Sequence, residues 1–550
     1  MAHALGARRG RPAGVARHGI RLRVPPRSTR WNVTRGAGRP RRVSSDAPNL
    51  NRARQKFARG RRGIDESAPG DRSGDRPRIP QPRAFRDVVA MPGSVVTVQL
   101  GQCGNQVGAE LFDTLSAEID AHPPRDRAGI RRAFFREPHR DEHDADVSGA
   151  STSYMAPVAR AVLIDMEPKV VQASLRRARR TGRWRYDGDR TLAFQSGSGN
   201  NWARGYHTYG DAVRHDVLDL VAKEAEACDH VGGFMLMQSM AGGTGAGLGA
   251  RVAEALRDEY PTATLMNHCV WPYESGEVIV QAYNTLLTLS SLLDSSDGVT
   301  VVQNEELHQT CVKLLGVERP TFGDMNAVAA SQLAGVLLPA ARRDAAGGVP
   351  GGGGSGRRLA NLHDLSMDLC CHAKTRLLSL RQTPTMPPKS VEFTTFQWPS
   401  LLKRARQMLL TGTTLEEGLD WGLEPGANTT RAAGRVATRS IASMLFLRGK
   451  DADVADATPM ADPRLYPTWS PSPLTVAWSP TRFNGYEMCA TTLTNCQTSC
   501  PPIGRMLARA YQMRDAGAYL HQYAEHGVGV DGFEEAFGRV EDVLAAYRTL

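Results

Sequence analysis

No apolar run in these 550 residues approaches the ~18 to 20 that a membrane-crossing helix needs, and no leader-like apolar stretch follows Met1. The nine cysteines are odd in number, include no Cys-x-x-Cys pair and place Cys370 beside Cys371. That usage excludes a regular disulfide framework and suits reduced thiols in a reducing compartment. Cys496 and Cys500 are four apart, a spacing that belongs more often to ordinary thiols than to a metal site. The chain therefore reads as soluble and intracellular.

Acidic residues are missing altogether before Asp46. Residues 1–90 hold 23 Lys and Arg against 6 Asp and Glu, which leaves 45 against 51 for the other 460 residues. The net charge of +11 is thus a property of one segment and does not argue for nucleic-acid binding by the rest. Rich in Arg, Gly and Pro and poor in aromatics, that segment cannot bury enough apolar surface to offset its chain entropy. Three readings stay open: a disordered basic arm, an organelle transit peptide, or sequence upstream of a true start at Met91. Only the first would offer a surface for RNA.

From Met91 to about Leu338, short β-branched or apolar runs alternate with helical stretches: Val95–Leu100, Val158–Ile164, Phe234–Met237, Leu265–Val270 and Val299–Val302. Such alternation predicts a parallel sheet covered by helices, with ligands at the carboxyl ends of its strands. Residues 121–157 are polar and charged and read as a surface loop. After Phe234–Met237 comes Ser239-Met240-Ala241-Gly242-Gly243-Thr244-Gly245-Ala246-Gly247-Leu248-Gly249, which leads into an amphipathic helix. Glycines let successive N–H groups face an anion, Ser239 and Thr244 add hydroxyls, and the helix presents its positive end. The loop has no lysine, so it is no P-loop, and Gly101-Gln102-Cys103-Gly104-Asn105-Gln106 after the first strand fits no dinucleotide fingerprint.

Together the two glycine motifs resemble those of the tubulin family of GTP-binding, filament-forming proteins, over Val95 to the C-terminus. Five more segments are similar to its delta type: Val95–Leu100, Asp165–Lys169, Gly197–Trp202, Trp271–Gln281 and Leu447–Asp451. The resemblance implies an α/β tubulin-like fold: a parallel nucleotide-binding sheet flanked by helices, a central helix, a second mixed α/β domain and C-terminal helices. The expected division is 1–90 extension, 91–323 GTP-binding domain, 324–338 central helix, 339–358 Gly-rich linker, 359–500 intermediate domain and 501–550 helical region. Val391–Phe396 and Ile441–Leu447 suit strands of a second, mixed sheet.

A lone glycine turn is usually only a tight connection, and a lone Asp-x-Glu-Pro a solvated turn. Appearing together in family order, they acquire roles. The resemblance implies GTP and Mg²⁺ as ligands. Gln102, Cys103, Gly199, Asn200, Ser239, Gly243, Thr244 and Gly245 would meet the phosphates. Glu167, with Asp165, would help hold Mg²⁺, which prefers few carboxylates plus water and phosphate oxygens. Glu277, Asn304, Phe322 and Asn326 would meet ribose and base, with the Phe ring stacking and the two Asn side chains bonding the purine edge. Gln281 stands where alpha and beta types carry Glu.

No catalytic residue is assigned. In tubulin filaments a neighbouring subunit completes the site with an acidic residue, and aligning Asn361–Asp368 with that loop puts Met367 there, with Asp368 rotated by about 100°. Asp364 has no catalytic role in this reading. The implied partners are other tubulins, an epsilon type among the candidates, and microtubules, with no membrane or nucleic acid. The implied work is in centriole or basal-body triplet microtubules and cilium assembly, within the cytoplasm and cytoskeleton. The alternative is an actively hydrolysing, self-polymerising GTPase of general microtubules.

Overall fold

The computed structural model describes residues 93–138, 156–276, 278–343, 358–359, 362–425, 437–470 and 472–550. The expectations for residues 1–90 and for the glycine run 351–356 lie outside them.

The fully buried strand β1 (Ser94–Leu100) passes directly into α1 (Gly101–Ala121). Leu111, Phe112, Leu115 and Ile119 form one buried face of that helix. Of the segment expected as a loop from 121 to 157, residues 139–155 lie outside the described ones; before them stand α2 (Pro124–Phe134) and β2 (Phe135–Arg136), which pairs with β3 (Val158–Ala159). Its arginines dominate the composition, but Ile130, Ala133 and Phe134, spaced for one helical face, are enough to seat α2 on the core. The run Val158–Ile164 is broken at Arg160 before β4 (Ala161–Asp165) begins. Arg160 turns into a buried cluster, 3.6 Å from Glu224, with Arg136 and Arg190 on the same carboxylate at 3.4 and 3.7 Å.

There follow α3 (Pro168–Thr181), β5 (Thr191–Ala193), α4 (Asp211–Glu226), β6 (Val231–Ser239), α5 (Gly249–Glu259), β7 (Leu265–Trp271), α6 (Gln281–Ser295), β8 (Gly298–Gln303) and α7 (Asn304–Gln309). Six strands pair in parallel in the order β5-β4-β1-β6-β7-β8. The chain leaves β1 to one side for β4 and to the other for β6. The crevice at this reversal, beyond the carboxyl ends of the strands, is where open α/β sheets take ligands.

The central helix α8 (Phe322–Leu337) begins with a capping box in which Thr321 N–H donates to Asp324 Oδ2 (2.8 Å) and Asp324 N–H to Thr321 Oγ1 (3.3 Å). It runs against α1, burying Met325, Val328, Ala329 and Leu333. Beyond it lie β9 (Ala340–Arg342), β10 (Arg358–Leu359), α9 (Leu362–Leu369), β11 (Leu377–Thr383), α10 (Pro388–Val391), α11 (Trp398–Thr411), β12 (Ser440–Gly449), β13 (Leu474–Ser479) and β14 (Met488–Cys496). These strands are mixed in direction, as expected, but they form no separate sheet. Leu377 and Leu378 of β11 pair in parallel with Val299 and Thr300 of β8, joining twelve described strands into one. Val391–Phe396 is not a strand: Pro387 and Pro388 start the short helix α10, and turns follow. Nor is an adjacent edge free, because β11 is flanked by β8 and β14.

Three helices close the chain: α12 (Cys500–Asp515), α13 (Leu520–Ala524) and α14 (Val530–Arg548). Phe533, Phe537, Val540, Val543 and Leu544 all turn inward from α14, which packs on α6. Among the described residues no helix is long and apolar enough to cross a membrane.

Candidate functional site

At the carboxyl ends of β1, β4, β6 and β7 lies a cavity of about 520 Å³. Gln102, Cys103, Asp165, Glu167, Gly199, Asn200, Ser239, Gly243, Thr244, Gly245, Asn304, Phe322 and Asn326 all line it. Glu277 lies outside the described residues.

Three turns make the polar floor, and they touch. Gly101, at φ +70°, ends β1, and a Cβ there would stand 3.0 Å from Gly245 N. A Cβ on Gly243 would stand 2.3 Å from Ser198 Oγ and 2.7 Å from Asn201 O. The Ser198 and Thr244 hydroxyls are 3.2 Å apart. Two asparagines lock these turns. Asn105 Nδ2 donates to Gly101 O (2.9 Å) and Ile164 O (3.2 Å), tying the first turn to the end of β4. Asn284 Nδ2 donates to Asn200 O and Ala241 O, both at 2.7 Å, tying the third turn to the glycine loop. The helix that starts after Gly243 has its first internal bonds at Gly247 and Leu248 N–H, both to Gly243 O. The amides just before them therefore lack helical acceptors, and an anion suits that end.

Asp165 and Glu167 stand on the adjoining side. Asp165 Oδ1 accepts from Glu167 N–H (3.3 Å), whereas its buried Oδ2 has no hydrogen-bond partner. Burial, more than the nearby Glu167 charge, lifts the Asp165 carboxyl to about 6, although the amides of Glu167 and Met166 oppose this. A buried carboxylate oxygen with no donor fits a cation beside the phosphates. Among the described residues no three His, Cys, Asp or Glu side chains are grouped to hold a metal by themselves, so the remaining ligands would be phosphate oxygens and water. Cys103 is a different kind of group: burial pushes its thiol up to about 12, so it meets the cavity protonated.

At the far side Phe322 is half exposed and Asn326 is buried on the first turns of α8, with Asn304 at the start of α7. Gln281 is fully buried; its Nε2 donates to Tyr273 O (2.8 Å) and its Oε1 has no partner. The sequence reading left several of these participants out of the site. Gly101, Gln106, Ser198 and Tyr273 also line the cavity, beside Gln281, whose place in the ribose-side segment the sequence had marked, and Asn284 holds it together. A signal for Asn284 was present: it is the one amide side chain in the stretch Ala282–Leu289, whose leucines mark it for burial, and a buried amide needs partners.

On α9 Met367 is 65% exposed, whereas Asp368 is engaged by Arg342 (3.1 Å) and by the Thr475 hydroxyl (3.1 Å). Asp364 is buried. The helix thus presents a thioether at its outer face and keeps both carboxylates occupied or inside.

Glycine turns on both sides of a topological switch point, enclosing a cavity with an anion-binding floor and a carboxylate flank, define a nucleotide-binding α/β protein. The sequence profile of the Tubulin/FtsZ family, GTPase domain, matches residues 94–312. The tubulin delta chain of Macaca fascicularis is 38% identical over 476 residues, covering 83% of this chain and 100% of that one. The tubulin delta chain of Homo sapiens is 38% identical over 471 residues, with the same coverages, and the tubulin beta-1 chain of Chondrus crispus 26% over 465, covering 83% and 94%. The chain belongs to the tubulin family. Within it, the chain is more similar to these delta chains than to that beta chain.

Proposed function

We propose that the cavity binds GTP with Mg²⁺ and that the chain acts as a delta-type structural tubulin whose nucleotide state governs its contacts with other tubulins. The observation that carries the binding reading is the contact between the Gly101, Ser198–Asn200 and Gly243 turns, which leaves no space for a Cβ at Gly243 while all three turns line the open cavity. The family's GTPase domain supports GTP as the nucleotide. Glu167 and Asp165 would hold the cation, which neutralises phosphate charge when bound. Gly243, Thr244, Gly245, Gln102, Gly199 and Asn200 would orient the phosphates, Ser239 and the protonated Cys103 would border them, and Phe322, Asn304 and Asn326 would receive the base. Gln281 supplies a neutral acceptor toward the ribose side; Glu277 is proposed there on the resemblance alone.

The likeness to delta chains supports a cytoskeletal place and other tubulins as partners. Work in centriole or basal-body triplet microtubules and cilium assembly, with an epsilon type among the partners, is proposed on the family resemblance alone. Slow or partner-dependent hydrolysis fits the exposed Met367 better than self-activated turnover does. Two experiments test this. Purified protein should bind a fluorescent GTP analogue in competition with GTP but not ATP, without hydrolysis that rises with its own concentration. A tagged chain should mark centrioles during ciliogenesis; a signal that stays diffuse throughout would contradict the cellular role.

A further inference from the structure

The C-terminal helices reach two of the loops around the cavity and the helix α6. Arg505 Nε and Arg509 Nη1 donate to Glu274 Oε1 (2.6 Å) and Glu274 O (3.2 Å), beside Tyr273. Asn201 Nδ2, next to the Gly199–Asn200 turn, donates to Gln522 O (3.0 Å). Tyr523 Oη donates to Asn284 Oδ1 (2.6 Å), and both side chains are fully buried.

Asn284 is where these contacts converge. Its amide hydrogens go to Asn200 O and Ala241 O, its oxygen accepts from Trp202 N–H (3.0 Å), and the other lone pair takes the Tyr523 hydroxyl. An asparagine amide has two donors and two acceptor positions, so every one is used. Three go to the main chain of the two loops that line the phosphate floor. The fourth goes to a helix more than two hundred residues later, which thereby bears on the same amide that ties the two loops.

The segment carrying Tyr523 is built to seat as a unit. Gly517, Tyr519 and Gly527 all have left-handed φ, at +64°, +61° and +91°. A tyrosine in that region is disfavoured and is kept there by its surroundings. Tyr283 Oη donates to Ala518 O (3.2 Å), and the Thr208 hydroxyl is 3.2 Å from His526 Nδ1. Tyr523 also packs edge-on against Tyr283 and Phe533, with ring centres 5.5 and 5.2 Å away.

We infer that Asn284 and Tyr523 are positioning residues that couple the nucleotide cavity to the 518–527 segment, so that the seating of this segment sets how fast nucleotide leaves. The inference rests on the proposal that the cavity binds a guanine nucleotide. By linkage, an occupied cavity in turn favours the seated segment, and a partner whose affinity is altered by nucleotide by some factor alters the equilibrium affinity for nucleotide by that same factor.

The test uses the full chain loaded with a fluorescent GTP analogue and chased with excess GTP. Tyr523→Phe deletes one hydroxyl and keeps the ring, and it should speed dissociation about three- to tenfold, the range for one buried hydrogen bond, with little change in melting temperature. His521→Ala, on the exposed side of the same helix, should dissociate at the wild-type rate. In the wild type, nucleotide loading should slow amide hydrogen exchange in 518–527, and Tyr523→Phe should weaken that protection. Dissociation from Tyr523→Phe within twofold of wild type overturns the coupling, as does wild-type exchange in 518–527 that is indifferent to nucleotide. The exchange measurement needs no variant, so it decides even if Tyr523→Phe fails to fold. A wild-type chain that takes up no nucleotide overturns the binding reading itself, and the coupling with it.

Discussion

Replacing Gly243 by alanine forces the glycine loop away from the Ser198–Asn201 turn. The new Cβ would stand 2.3 Å from Ser198 Oγ, which can rotate away, and 2.7 Å from Asn201 O, which cannot move without its main chain. The two loops, which together form the proposed phosphate floor, must then shift apart. Overpacking of this kind costs about 1–3 kcal/mol, and if the strain falls on the binding geometry it weakens nucleotide affinity about 5- to 150-fold. Gly242 is the internal comparison: a Cβ there meets only Asn200 Oδ1 at 3.9 Å, an ordinary contact. The assay is thermal unfolding of nucleotide-free protein for both variants, followed by titration of Gly243→Ala with a fluorescent guanine nucleotide. Gly242→Ala should melt with the wild type, while Gly243→Ala melts lower and binds more weakly. Equal melting of all three proteins, together with Gly243→Ala affinity within twofold of wild type, would refute the steric reasoning.

Two further outcomes follow from buried titratable groups. His268 is enclosed in β7 with both ring nitrogens unpartnered, and burial lowers it from its usual 6.5 to about 4. Because the folded value lies below the unfolded one, its stabilising contribution is complete above about pH 6.5 and is lost as pH falls toward 4, on the order of 3 kcal/mol in total. Denaturant titrations across that window should show a slope that His268→Leu flattens; an unchanged slope would assign the loss to other groups. Glu224 is fully buried among Arg136, Arg160 and Arg190, so Glu224→Gln removes the carboxylate they share and leaves Asp187 as the acid beside Arg136 and Arg190; it should cost on the order of 3 kcal/mol in equilibrium unfolding. A loss below about 1 kcal/mol would mean that water or local movement replaces the carboxylate.

The parallel half of the fold was readable because Val95–Leu100, Phe234–Met237 and Leu265–Val270 are short apolar runs with β-branched residues, each followed by a helix-forming stretch. The loops around the cavity were readable for a different reason. Glycine at 101, 199 and 243 answers to a local backbone or contact requirement, and such requirements leave a mark in sequence that no partner can erase. Where the reading failed, the deciding partner lay elsewhere. Helix α2 is seated by three apolar residues among arginines, and only the surface that receives them makes three enough. Val391–Phe396 has strand-like alternation, yet the neighbouring strand β11 had both edges occupied. The join between β8 and β11 rests on two residue pairs, which no periodicity announces. Asn284 acts through hydrogen bonds to the main chain of Asn200, Ala241 and Trp202 and to the Tyr523 hydroxyl, all distant in sequence, so its role became visible only with the loops in place.

The claim that this cavity holds a guanine nucleotide is met most directly by purifying the full chain under native conditions, denaturing it, and separating the released small molecules by chromatography. The account predicts one guanine nucleotide per folded chain. A cooperatively folded protein that releases no nucleotide, or releases an adenine nucleotide instead, would contradict it.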